Sequence, residues 1–148
     1  MPNKADHIQL ALHDMQVARH LLCTPDYCDW TATTVFYAAV HIVEAILFPH
    51  HSADHVTREA VLKDKRYEKM WEHFRPLKNA SEVARYLEDK SGKTVLFKNY
   101  LSSDQVRETL IMHRLNQIVK SASKLINNAE LATALRDEFA RQFQPPQS

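Results

Sequence analysis

The sequence predicts an all-α fold, an antiparallel four- to five-helix bundle, on three observations. Glycine occurs once in 148 residues, at Gly92, whereas sheets closed by tight hairpins call for glycine at positive φ. Apolar residues recur at steps of three and four over most of the length, the spacing of one helix face. Residues suited to helix caps or breaks stand between these runs. An apolar fraction of 45% and a charged fraction of 25% are ordinary for a globular domain. A chain of this length can bury roughly two-thirds of its unfolded surface in one core.

Asn3 is placed to cap a first helix whose inward stripe is Ile8, Leu12, Met15, Ala18 and Leu22, and Thr24-Pro25 ends it. Asp29 is the expected cap of a second helix running to Phe48, with Pro49 as its stop. His50 to His55 reads as a loop before a short helix through Arg58 and Leu62. Arg66 to Leu87 is a third long helical region in which Pro76 marks a break or kink. Glu88 to Lys93 is a polar connector. Ser102-Ser103-Asp104 caps a fourth helix that turns Val106, Leu110, Leu115, Ile118, Ala122 and Leu125 inward. Leu131, Leu135, Phe139 and Phe143 fit a fifth. The organisation expected is a single helical domain over 1–144 and a short flexible tail over 145–148.

A formal net charge of +1 gives no global reason to expect nucleic acid or an acidic membrane. Between Val56 and Lys98, however, eleven Lys and Arg stand against seven Asp and Glu. That segment reads as a solvated face of mixed charge or as a mildly basic, RNA-facing one. Cys23 and Cys28 are too few for a disulfide framework, and C-x4-C without a second pair is a poor zinc signal. They read as small apolar fillers at a helix junction in a reduced, cytoplasmic protein, and no signal peptide is expected. His50, His51, Asp54 and His55 read as a solvated loop, because a metal site needs three or four ligands held by further contacts. No paired Glu-x-x-His motif supports a di-iron bundle, and no metal or cofactor is expected.

The most apolar run, TATTVFYAAVHIVEAILF over 31–48, approaches the shortest membrane span. Tyr37, His41 and Glu44 within it argue against a bilayer. On a helical wheel Val35, Ala39, Ile42 and Ile46 share one side, while Thr34, Tyr37, His41 and Glu44 fall within an arc of roughly 80°. The polar residues therefore form one stripe, and a buried stripe needs partners. Two explanations are open. In the structural one the stripe bonds to a neighbouring helix or a second subunit, with an arginine facing Glu44. In the functional one His41 is an acid–base group oriented by Glu44, and Tyr37 contacts a ligand.

Asp29-Trp30 precede Phe36-Tyr37-Ala38-Ala39-Val40-His41 and Glu44-Ala45; His55-x-x-Arg58 follows, then Phe74-x-x-Leu77-x-x-x-Ser81-x-x-Ala84-Arg85-Tyr86. This series resembles the helix patterns of the HEPN family, small all-α domains of prokaryotic toxin–antitoxin and defence systems, over roughly Ala5 to Ile126. The resemblance implies a bundle that is usually a homodimer and that works with a partner protein such as an antitoxin or a larger defence subunit. It makes Tyr37, His41, Glu44, His55, Arg58 and Arg85 candidate ligand-binding residues, with RNA or a nucleotide as the ligand.

Catalytic members of that family carry an Arg-x(4–6)-His motif and act as metal-independent ribonucleases. The arginine stabilises phosphate charge, and the histidine helps the 2′-hydroxyl attack. Arg66 to His73 and Arg107 to His113 meet the spacing, although about 1.6 matches arise by chance in this composition. Ser81 stands where the family commonly has the arginine, so Arg107 and His113 are the catalytic candidates. Six residues place their side chains roughly 120° apart around a helix, so convergence requires a kink or a second subunit. The function expected is dimerisation or association with a partner through the second and fourth helices with Phe139 and Phe143, together with contact to RNA or a nucleotide; the alternative is a metal-independent endoribonuclease toxin.

Overall fold

Capping side chains set four helix starts. Asn3 accepts from the Asp6 backbone N–H while Asp6 accepts from that of Asn3; Ser102 and Gln105 repeat this reciprocal box. Asp54 accepts from Thr57, and Asn128 from Leu131. Each bond satisfies backbone donors that a helix start otherwise leaves orphaned.

The chain is described here from a computed structural model that covers residues 2–49 and 54–144. Seven helices run through them: α1 Lys4–Leu22, α2 Cys28–Leu47, α3 His55–Leu62, α4 Glu68–Tyr86, α5 Phe97–Tyr100, α6 over 103–125 and α7 Ala129–Phe143. Among the described residues there is no strand, only an isolated antiparallel bridge from Glu88 to Thr94. The expected helical bundle is thus present, with α1, α2, α4, α6 and α7 as its long members. His50, His51 and the tail over 145–148 lie outside the described residues.

The structure corrects the element reading at several points. Asp29 does not cap α2: Pro25–Tyr27 forms a 3-10 turn, and the helix starts at Cys28. Asp29 instead sits in the first turn, where its carboxylate faces the positive end of the helix dipole. Pro76 neither breaks nor ends α4, which continues through it. The carbonyl that loses its partner belongs to the exposed Glu72, where water can serve it. The single turn α5 has no counterpart in the sequence reading. Within α6, Val106–Leu115 is π-helical, and the Asn116 N–H is shared between the carbonyls of Ile111 and His113. Cys23 is exposed rather than an apolar filler, while Cys28 is half-buried against the core.

α2 is the central element, packed chiefly against α1 and α4. With its leading turn it is long and apolar enough to cross a membrane by length and composition, yet 72% of that window is buried inside the protein. Its role here is that of a core helix. Phe36, Ile42, Phe74, Leu77, Ile111, Leu115 and Phe139 are fully buried around it, each contributing about 1.5–3 kcal/mol of hydrophobic stabilisation. Phe139 therefore belongs to the core, with Phe143 packed on its ring at 5.2 Å. Neither Phe139 nor most of α2 is presented for docking, contrary to the expectation from sequence.

Candidate functional site

The polar stripe of α2 is divided among three neighbouring helices. Glu44, 5% exposed, accepts a 2.8 Å hydrogen bond from Nε of Arg58 on α3. Nη1 of Arg58 lies 2.8 Å from Nδ1 of His55. A guanidinium can only donate, so Nδ1 of His55 accepts and its ring proton sits on Nε2. Burial, and then the Arg58 and Arg85 charges, hold His55 below the ordinary imidazole value, so the ring is neutral near pH 7. It stacks on Phe36 at 6.1 Å.

Tyr37 faces α4 instead. Its hydroxyl accepts from Nη1 of Arg85 at 3.3 Å, and Nη1 also reaches the Tyr86 hydroxyl. Ser81 holds the other side of the guanidinium, through its carbonyl to Nε and its hydroxyl to Nη2. The same guanidinium lies over the rings of Tyr86, Phe36 and Tyr37 at 4.9, 5.7 and 5.8 Å. Ser81 thus positions Arg85 one turn later.

His41 turns to α1. Its Nδ1 is 3.3 Å from Nδ1 of His7, and its Nε2 is 4.0 Å from Oδ2 of Asp14. Burial, then the His7 and Arg58 charges, hold His41 below its ordinary value against the pull of Glu44. Burial pushes Asp14 up to about 6. Thr34 returns its hydroxyl to the Trp30 carbonyl at 2.8 Å. Among the described residues His41 and Glu44 share no hydrogen bond or ion pair, because Arg58 has taken the carboxylate. The arrangement meets the expectation of an arginine facing Glu44, and it leaves His41 without Glu44 as its orienting group.

Five candidates therefore meet in one region: Tyr37, Glu44, His55, Arg58 and Arg85, joined by Tyr86, while His41 stands apart on the α1 seam. The region offers guanidinium and imidazole donors beside ring faces, a combination suited to phosphate oxygens and unstacked bases. Lys78, bonded to Glu59 at 2.6 Å, adds a balanced charge nearby.

Arg107 and His113 do not meet within the chain. Arg107 lines a cleft against α1 and α7. His113 packs edge-on against His73 of α4, with ring centroids 5.5 Å apart. Nη1 of Arg114 lies 3.2 Å from Nδ1 of His73. This His73–His113–Arg114 cluster escaped the sequence reading, although both histidines close its two Arg-x(4–6)-His matches. Burial, more than the adjacent charges, holds His73 below its ordinary value. Asp54 caps α3 and His55 pairs with Arg58. Among the described residues no group of three or more His, Cys, Asp or Glu is placed to hold one. Burial, then the Asp29 charge, pushes the Cys28 thiol up, away from thiolate reactivity. No family model, curated protein or solved structure matches the chain.

Proposed function

We propose that the chain is a HEPN-like module of a prokaryotic toxin–antitoxin or defence system that acts in the cytoplasm by association. It pairs with a second copy or docks on a partner protein, and the Tyr37–His55–Arg58–Arg85–Tyr86 region contacts RNA or a nucleotide. The observation that carries this reading is the Arg85 guanidinium spread over three aromatic rings beside a neutral His55. Bases stack on such rings and phosphates accept from such donors. Binding is favoured over cleavage because Nδ1 of His55 is committed to Arg58 and Glu44 is committed to the same guanidinium. For association, Trp30 is 61% exposed, and with Val17, Leu21 and Tyr27 it lines an apolar groove of about 410 Å³ on α1 and α2. Exposed aromatic anchors of this kind are enriched in protein interfaces.

A second reading, the metal-independent endoribonuclease, is favoured by one observation: two imidazoles and a guanidinium gather at His73, His113 and Arg114. One experiment separates the two. A labelled single-stranded RNA is titrated in EDTA with wild type, Arg85→Gln and His113→Ala, and the mass of each protein is followed by sedimentation. Association predicts dimer mass, intact RNA, binding weakened by Arg85→Gln, and no effect of His113→Ala. RNA cut in EDTA and spared by His113→Ala transfers the case to the second reading. RNA neither bound nor cut overturns both.

A further inference from the structure

A cleft of about 620 Å³ opens where the end of α1, the π-helical start of α6 and the end of α7 meet. It belongs to neither site above. Arg19, Arg107 and Arg141 reach it from three different helices, over a surface that includes Leu22, Met112 and Phe143. We propose that this cleft binds a dianionic organic phosphate, held by Arg19 and Arg107, with the apolar body of the ligand laid on Phe143 and Met112.

Charge is the first argument. Among the described residues Arg19 and Arg107 form no ion pair. Two unpaired guanidiniums on one cleft match a doubly charged phosphate, whose oxygens suit their forked donors. Arg141 is different, since it is clamped to Glu138. Glu138 is 5% exposed and also accepts from Gln142 at 2.7 Å and Gln16 at 3.3 Å. A carboxylate that buried is tolerated only with such donors, and here it fixes two lining side chains, Arg141 and Gln142. Glu108 adds a carboxylate to the lining, an acceptor for a hydroxyl or amine on the ligand. Counting Glu138 and Glu108 against the three arginines, the cleft remains positive.

Size and shape argue for an organic ligand. The volume lies in the range of roughly 300–1,000 Å³ usual for small-molecule sites, far more than an inorganic phosphate fills. Phe143 offers an aromatic surface braced by Phe139 behind it, and Met112 an adaptable one. Arg107, Glu108 and Met112 all stand on the π-helical segment, a geometry that is rare and concentrated at functional sites.

Calorimetric titration of the full chain with phenyl phosphate, inorganic phosphate and benzoate tests the assignment. Phenyl phosphate is expected to bind about tenfold or more tightly than either of the others. Arg19→Gln and Arg107→Gln are each expected to weaken it by about tenfold or more; both side chains are exposed, so thermal melting should not move. Phe143→Leu, which keeps an apolar side chain but removes the ring, should abolish the advantage of phenyl phosphate over inorganic phosphate. Arg136→Gln, outside the cleft, should bind as wild type. Three results overturn the proposal: no binding of any phosphate, equal affinity for inorganic and phenyl phosphate, or wild-type affinity in both arginine variants.

Discussion

Arg58→Met leaves Glu44 buried without its counter-charge, and the cost follows from the geometry. The Nε–Oε1 distance is 2.8 Å, with Glu44 and Arg58 only 5% and 8% exposed. At an effective dielectric constant near 20, that separation corresponds to a gross attraction of about 6 kcal/mol, most of it spent on desolvating both ions. Removing one partner keeps the desolvation of the other and loses the attraction, a destabilisation of about 3–5 kcal/mol. For a chain of this size that lowers the melting temperature by about 6–20 °C. The double substitution Glu44→Leu with Arg58→Met replaces the pair by apolar groups and is expected to recover stability to within about 1 kcal/mol of wild type. Urea denaturation of wild type, both single variants and the double variant measures the coupling directly. A loss below about 1 kcal/mol for Arg58→Met, or simple additivity of the two substitutions, would refute the view that Glu44 is held for packing.

Two further predictions concern other positions. Asp14 binds its proton more tightly folded, at about 6, than at the ordinary 3.8. Its contribution therefore favours the fold at low pH and is lost as pH rises through about 6. Asp14→Asn stays neutral, so it should exceed wild type in stability by about 1–3 kcal/mol near pH 7.5, with the gap closing toward about pH 4. His41, held below its ordinary value, acts with the opposite sign, losing stability as pH falls, but does so in both proteins. A gap that is constant across the range would contradict the assignment. Leu87 ends α4 in the left-handed region at φ 59°, where a side chain costs about 1–2 kcal/mol. Leu87→Gly should recover part of that at this exposed site, raising the denaturation midpoint; an unchanged or lower midpoint would contradict it.

Much of the fold was legible because its signals are local. Asn3 and Ser102 carry their capping partners three residues downstream, and the stripe from Ile8 to Leu22 repeats within one helix. Asp29 misled because Pro25 starts a 3-10 turn just upstream, so α2 is already under way when Asp29 is reached. The π-helical segment was hidden because Val106, Leu110, Ile111 and Leu115 are spaced by four and five, which serves α and π geometry alike. The site was legible only in angle. A helical wheel places Tyr37, His41 and Glu44 on one stripe, yet it says nothing about which helix each will meet. Arg58, fourteen residues from Glu44, was within reach of a local reading. Arg85, forty-eight from Tyr37, and His73, forty from His113, meet their partners only through tertiary packing.

The claim that the Arg58–His55 region binds rather than catalyses rests on one proton. Long-range proton–nitrogen NMR of ring-labelled protein observes it, reading both nitrogens of His55 as pH is varied. The account predicts a neutral ring near pH 7, protonated at Nε2 with Nδ1 accepting, and a titration midpoint below the ordinary 6.5. A proton on Nδ1 of the neutral ring, or a midpoint at or above that value, would contradict it.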